Sequence, residues 1–322
     1  MMTERFPYEE VKNKIENANA ITILSHLNPD ADTLGTALGI YALLSQDKSK
    51  KVEVVNASNE LPRHLDFLPY FHKIKHHIDY ADSLIFTCDA GSVDRLGFDL
   101  SGRDIINIDH HQSNTRYGTV NVIDADHASA SQVAYTLFRE ICEVKKEAAT
   151  CFYAALLSDT RYFTTTSMNQ EVFNVARDLV KAGAVPSEIA YHFTQRRPLS
   201  SLRILQKALA SLSLHHDARI ATMMVTKRDR EETGATVPDL EGIVDYGRSL
   251  ATVEVSLFAM ELDSGIRISL RSKKADVSKV AMAFGGGGHK VASGFTLTQF
   301  GLQESIDTIL KKIEELGILD EK

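Results

Sequence analysis

The sequence predicts an α/β protein: a catalytic domain built on a mainly parallel sheet, then a second, smaller α/β substrate-binding domain. Three observations carry that expectation. Short apolar runs alternate with helix-patterned segments through residues 1–185, as in a parallel sheet covered on both faces. Four apolar runs stop at an aspartate in a polar cluster. From residue 218 the texture shifts to alternating, strand-like segments.

Taken in order, residues 20–24 read as a buried strand that runs into Ser25, His26 and the cluster ending at Asp32. Residues 33–46 carry Leu34, Leu38, Tyr41 and Leu44 at helical spacing. Residues 52–55, 83–88 and 105–108 read as further buried strands, and 131–143 as a helix. Residues 147–157, rich in Ala and Leu, form a helix that ends at Ser158 and Asp159. Pro186 and Pro198 bracket a connection, and Leu202, Leu205, Leu209 and Leu212 mark a helix over 199–212. Residues 1–190 are therefore assigned to the first domain, 191–214 to a linker helix and 215–322 to the second domain. In that second part 219–226, 252–262, 266–270 and 294–297 read as strands, 276–283 and 302–316 as helices.

At 322 residues the chain has room for about two domains. A hydrophobic content of 43% and a charged content of 25% suit a globular protein, and no apolar stretch is long enough to span a membrane. Residues 1–5 are too polar for a secretory leader. Three cysteines without CxxC spacing fit a reducing cytoplasm. Cys88 reads as a small apolar residue closing a strand. The net charge of −7 argues against coating long nucleic acid, yet leaves room for a small phosphorylated ligand.

The four polar clusters supply His26, Asp30, Asp32, Asp89, Asp109, His110, His111 and Asp159. Three lie where strands end, and ligands of open parallel sheets bind beyond the carboxyl ends of strands. Carboxylates repel one another unless cations offset the charge, so convergence of these groups describes a site for two divalent metals. Singly, Asp30 or Asp32 suits a helix cap, Asp89 a strand-to-turn junction, Asp109 to His111 a polar loop and Asp159 a terminal turn. Imidazole mixed with carboxylate suits Mn²⁺, Fe²⁺ or Co²⁺ better than Mg²⁺. Other histidines read as structural: His76 and His77 in a basic stretch without acidic company, His215 and His216 in a hairpin turn. Asp124, Asp126 and His127 read as shaping a helix start.

A second signal is the glycine run 285–288 followed by His289 and Lys290. By itself it suits a flexible hinge, but its place between a basic strand containing Arg271 and another strand favours a phosphate cradle.

Asp109-His110-His111 resembles the name-giving motif of the DHH phosphoesterases, and the other three clusters follow in that family's order. Arg271-Ser272, the run from Gly285 to His289 and Ala292-Ser293-Gly294 are similar to the DHH-associated C-terminal domain. The resemblance covers nearly the whole chain, and the compact size points to the NrnA-type branch. Its nanoRNases degrade short oligoribonucleotides, and many dephosphorylate 3′-phosphoadenosine-5′-phosphate (pAp).

The resemblance implies one Mn²⁺ on His26, Asp30 and Asp89 and another on Asp32, Asp89, His110 and Asp159; Mg²⁺ or Co²⁺ are the alternatives. It implies that His111 faces the substrate phosphate and that Asp109 orients the imidazoles. Asn114 and Arg116 would lie near the phosphate, while Arg271, Gly286, Gly287, Gly288 and His289 would hold the far end of the nucleotide. Two departures stand out: Ala31 between the paired aspartates and Arg161 after Asp159-Thr160, both where glycine is common in the family. Arg161 is read as a further phosphate contact or as a residue that narrows the pocket. The partners implied are short oligonucleotides or nucleotide phosphates, without stable binding to long nucleic acid or membrane, and a homodimer is compatible. The rival readings are a cyclic- or linear-dinucleotide phosphodiesterase and, from another class, a silent nucleotide sensor.

Overall fold

The computed structural model describes residues 6–319, in two compact units divided between Arg196 and Arg197. Residues 1–5, whose polarity was read against a secretory leader, lie outside the described residues.

The first unit is built on the strands β1 (Ala20–Ser25), β2 (Lys51–Val55), β3 (Ile74–Lys75), β4 (Leu84–Cys88), β5 (Ile105–Asp109) and β6 (Val120–Ile123). They form one six-stranded sheet in the order β3-β2-β1-β4-β5-β6, parallel throughout. Its helices are α1 (Tyr8–Asn17), α2 (Ala31–Leu44), α3 (Ala130–Phe138), α4 (Lys146–Asp159), α5 (Gln170–Lys181) and α6 (Pro186–Thr194). The mainly parallel sheet expected from the alternation is present. Covered on both faces, β4 and β5 are buried along their whole length, which is why they read as unbroken apolar runs rather than alternating ones.

Strand order along the sheet reverses between β1 and β4: successive strands step one way from β1 to β3 and the other way from β4 to β6. Such a switch point opens a crevice at the strand ends. The register sets the row, because Ser25 pairs with Cys88 and Cys88 with Ile108. The next residues, His26, Asp89 and Asp109, therefore leave the sheet side by side.

A second device brings in the helices. Leu34, Leu38, Tyr41 and Leu44 suggested a one-sided stripe, but α2 is buried nearly all round. Gly35 and Gly39 make this close approach necessary. A Cβ at Gly35 would stand 2.6 Å from Cys151 O, and one at Gly39 2.3 Å from Phe152 Cε1. The Gly35 position also meets Ala155 Cβ at 2.8 Å, while Gly39, one turn later, meets Phe152, so the helices run in opposite senses and the first turn of α2 lies against the last turn of α4. The helix expected over 131–143 stops at Phe138, and the chain turns there so that Ile141 and Val144 pack on the core. His77 has acidic company after all: its Nε2 is 3.0 Å from Asp79 Oδ1.

The second unit contains α7 (Leu199–Ala210), β7 (Ser213–His215), β8 (Ile220–Val225), α8 (Lys227–Thr233), α9 (Ile243–Arg248), β9 (Val255–Leu262), β10 (Gly265–Ser272), α10 (Ser278–Ala283), β11 (Gly287–His289), β12 (Ala292–Leu297) and α11 (Leu302–Glu315). Its mixed sheet runs β11-β12-β10-β9-β8-β7, with one parallel pair, β8 and β9. Ile204 and Ala208 of α7, expected in a linker helix, are buried with Met223, Val225 and Phe258 in this unit's core. The other face packs Ile268, Leu270 and Phe295 beneath Ile309 and Ile313 of α11.

Gly35→Ala tests the glycine seam. Alanine favours a helix by about 1 kcal/mol over glycine, whereas overpacking a buried contact costs about 1–3 kcal/mol. The variant is expected to melt a few degrees lower than the native chain; an unchanged or higher Tm would mean that α2 and α4 separate freely.

Candidate metal centre

Asp30 is the N-cap of α2, and its Oδ1 accepts the backbone N–H of Asp32 at 3.0 Å and of Thr33 at 3.1 Å. Its other oxygen, Oδ2, lies 3.9 Å from His26 Nε2. Capping and a place in the polar cluster are thus both true of one side chain. Thr33 ties the switch point together, donating to Cys88 O at 2.8 Å while accepting from His26 N at 3.2 Å. The His26 ring is set by Nδ1 against Leu27 O at 2.8 Å, which turns Nε2 toward Asp89 Oδ2 at 3.5 Å.

Asp89 follows β4 with φ of 56°, a left-handed conformation that aspartate tolerates better than most residues. Its Oδ2 faces His26; its Oδ1 is 3.6 Å from His110 Nε2 and 3.4 Å from His111 Nδ1. Oδ1 is buried and has no hydrogen-bond partner among the described residues. A buried carboxylate oxygen without a donor is costly, and a cation answers that deficit.

His110 turns Nδ1 toward His127 O at 3.3 Å and Nε2 toward Asp32 Oδ2 at 3.8 Å and Asp159 Oδ2 at 3.7 Å. Asp32 is held in turn by the start of α3: Oδ2 accepts from Ala130 N at 2.7 Å and Oδ1 from Ser131 N at 3.2 Å. A helix N-terminus is a favourable place for a carboxylate. Neither His127 O nor these two amides was foreseen, because backbone groups carry no residue-type signal; only the helix start at Asp124 to His127 hinted at them.

The potential ligand atoms fall into three groups, each within 4.8 Å: His26, Asp30 and Asp89; Asp32, His110 and Asp159; Asp89, His110 and His111. Asp89 and His110 each belong to two groups. Residues from four chain segments, including the end of α4, do converge at this sheet edge.

Charge crowding leaves its mark on the protons. Burial raises Asp89 well above the usual carboxylate range, and Asp32 and Asp30 add to the effect. Burial likewise raises Asp32, against the pull of His110 and the α3 amides. Burial and then the Asp32 charge push Asp159 up to about 7, although 36% of its side chain still meets solvent. Burial disfavours the charged form of His110, yet Asp159, Asp89 and Asp32 outweigh it and lift the imidazole to about 9. Asp109 goes the other way: burial opposes its charge, but hydrogen bonds from His111 and Asn114 hold it below the usual range.

The expected substrate residues of this unit are placed as follows. All four hydrogen-bonding positions of the Asn114 amide are used: Nδ2 donates to Asp109 Oδ2 at 2.5 Å and Ala90 O at 3.1 Å, while Oδ1 accepts from Asn107 Nδ2 at 3.0 Å and Arg116 N at 2.7 Å. Arg116 follows with φ of 53°. Arg161, Tyr162 and Phe163 form a left-handed turn with φ of 47°, 59° and 63°, so Arg161 keeps a glycine-like backbone while its charge opposes the rise of Asp159.

In the second unit, Arg271 lies on β10 and donates Nη1 to Leu270 O at 3.0 Å. The glycine run is less of a loop than expected, since Gly287–His289 is the edge strand β11, paired with β12. A Cβ at Gly286 would stand 2.4 Å from Gly294 O, and one at Gly288 2.5 Å from Ala292 O. These two glycines are required by strand packing, whereas space is open at Gly285 and Gly287.

These protonation states predict how a cation acts on stability. Folded His110 keeps its proton to about 9, whereas an unfolded histidine loses it near 6.5, so metal-free stability falls as pH rises through that interval. Asp159 acts in the same sense between 3.8 and about 7. Divalent cations displace those protons, so the Tm gained on adding Mn²⁺ should grow from pH 6 to pH 8.5. Melting curves with Mn²⁺ and with EDTA check this; a Tm difference indifferent to pH would contradict it.

Comparison with known proteins agrees with this geometry. Residues 20–156 match the model of the DHH family, N-terminal domain, and residues 217–316 that of the DHHA1 domain. A Thermus thermophilus protein named bifunctional oligoribonuclease and PAP phosphatase NrnA is 29% identical over 303 residues, covering 92% of this chain and 89% of its own. The Bacillus subtilis protein of the same name is 24% identical over 313 residues, covering 95% and 97%. The crystal structure of an exopolyphosphatase-related protein from Bacteroides fragilis superposes with a TM-score of 0.87 at 27% identity, over 96% of both chains. With both domains in order and the histidine-aspartate clusters at one sheet edge, the chain belongs to the DHH family.

Proposed function

We propose that the chain is a metal-dependent phosphoesterase that hydrolyses short oligoribonucleotides to 5′-mononucleotides and removes the 3′-phosphate of pAp. The observation that carries this reading is the partnerless Asp89 Oδ1 between His110 and His111, in a chain similar along nearly its whole length to proteins named oligoribonuclease and PAP phosphatase. His26, Asp30 and Asp89 would hold one divalent cation and Asp32, Asp89, His110 and Asp159 a second, with Mn²⁺ favoured by the mixture of imidazole and carboxylate. Such cations supply Lewis-acid polarisation of a phosphoryl oxygen and make water a better nucleophile.

The chain's own residues do the rest. Asp109 holds Nδ1 of His111, so Nε2 is the nitrogen that would face the substrate phosphate. Water attacks phosphorus and gives up a proton, the bond to the 3′-oxygen breaks, and His111 Nε2 would take up that proton and pass it to the departing oxygen. Arg116 and Arg161 would balance the phosphate charge. Arg271, Gly286, Gly287, Gly288 and His289 of the second unit would hold the remainder of the substrate.

We place the chain in the cytoplasm. Among the described residues no helix is long and apolar enough to cross a membrane, and Cys88, Cys142 and Cys151 are unpaired.

Di- to pentaribonucleotides and pAp, incubated with Mn²⁺, should yield 5′-mononucleotides and free phosphate respectively, and EDTA should stop both. Asp159→Asn is expected to lower kcat by about 100-fold or more. Full activity in EDTA, or hydrolysis of cyclic dinucleotides alone from a wider panel, would reject the reading.

A further inference from the structure

Beneath the corner formed by Asp109, His110 and His111 lie three asparagine side chains whose amides can be oriented without ambiguity. Asn121 Oδ1 accepts from Gly118 N at 3.1 Å and its Nδ2 donates to Gly118 O at 2.8 Å. The backbone partners fix which end is which, since an N–H can only donate and a carbonyl can only accept. Asn114 is fixed in the same way by Arg116 N on its Oδ1 and Ala90 O on its Nδ2. Asn107, fully buried, sits between two amide oxygens, Asn114 Oδ1 at 3.0 Å and Asn121 Oδ1 at 3.2 Å. It must therefore present Nδ2 to both. Its own Oδ1 accepts from Thr87 Oγ1 at 3.3 Å.

Each donor in this chain points the same way, from Thr87 through Asn107 and Asn114 into Asp109 Oδ2. The other oxygen, Oδ1, accepts from His110 N at 2.7 Å and His111 N at 3.2 Å and faces His111 Nδ1 at 2.6 Å. A carboxylate reached only by donors has no proton to give. His111 must consequently donate from Nδ1, and Nε2 becomes its outward nitrogen.

We propose that Asn107 and Asn114 are positioning residues: their directional amide chain fixes Asp109 as an acceptor and thereby selects the tautomer of His111. The proposal deepens the phosphoesterase reading by adding Asn107, which lies in mid-strand on β5, and by giving Asn114 a role other than phosphate contact. Chains of hydrogen bonds that all run one way reinforce one another, and reversing a single member sets two acceptors face to face.

Asn107→Asp makes that reversal at nearly constant shape, because the new carboxylate meets two amide oxygens and cannot donate. Asn107→Ala deletes the link without reversing it. If the chain sets the tautomer, Asn107→Asp lowers kcat by about 10–100-fold, more than Asn107→Ala, with KM within about twofold and Mn²⁺ binding unchanged. A packing role predicts the opposite ranking, since alanine leaves the larger cavity. The direct readout is ¹⁵N NMR of the histidine rings in the metal-free protein. Neutral His111 is expected as the Nδ1–H tautomer in the native chain and as a mixture of tautomers in Asn107→Asp. An Nε2–H tautomer in the native chain overturns the proposal, as does an Asn107→Asp protein with native tautomer and native kcat. The native spectrum decides the matter even if the variant fails to fold. It requires no turnover, so it can fail or succeed separately from the phosphoesterase reading.

Discussion

The site depends on one electrostatic constraint, the burial of Asp89 among like charges. Its side chain is almost wholly buried, Asp32 and Asp30 stand close enough to raise its proton affinity, and one of its oxygens has no donor. Among the described residues of the first unit, no other buried side-chain nitrogen or oxygen lacks a hydrogen-bond partner. Around it, Thr33 bridges two strand ends, the α3 amides clasp Asp32, and backbone carbonyls turn His26 and His110. The surroundings are thus fixed by ordinary, well-made hydrogen bonds, while the centre keeps an unmet demand for positive charge. That division is what a preorganised cation site requires: the ligands are costly to bring together and the scaffold holds them there.

Two features of the fold concentrate the charge. The strand-order reversal between β1 and β4 opens the sheet edge where His26, Asp89 and Asp109 leave in one row. The glycine seam at Gly35 and Gly39 lets α2 and α4 touch, so Asp32 and Asp159, 127 positions apart in the chain numbering, face the same imidazole.

Much of this was legible in the residues. Buried parallel strands read as unbroken apolar runs, and a charged residue at the end of such a run is conspicuous, which is why His26, Asp89 and Asp109 could be placed at strand ends. Asp159 was legible as a helix terminus from the Ala- and Leu-rich segment before it. What escaped notice was carried by backbone or by geometry. His127 O and the amides of Ala130 and Ser131 are invisible in a residue list. The resemblance placed Asn114 near the phosphate, yet its four bonds lie inside the protein. Asn107 passed as one polar residue in a strand. The glycine run suggested a loop, whereas Gly286 and Gly288 admit β12 at close range. Helix 199–210 looked like a linker because its leucines are periodic, but periodicity does not say which core a helix joins.

Calorimetric titration of the EDTA-stripped protein with Mn²⁺ at neutral pH tests the central claim most directly. The account predicts two ions bound per chain, and loss of that binding in Asp89→Asn together with a higher Tm for the metal-free variant, because the buried repulsion is gone. A native chain that binds no Mn²⁺, or an Asp89→Asn protein that still binds two ions, would contradict it.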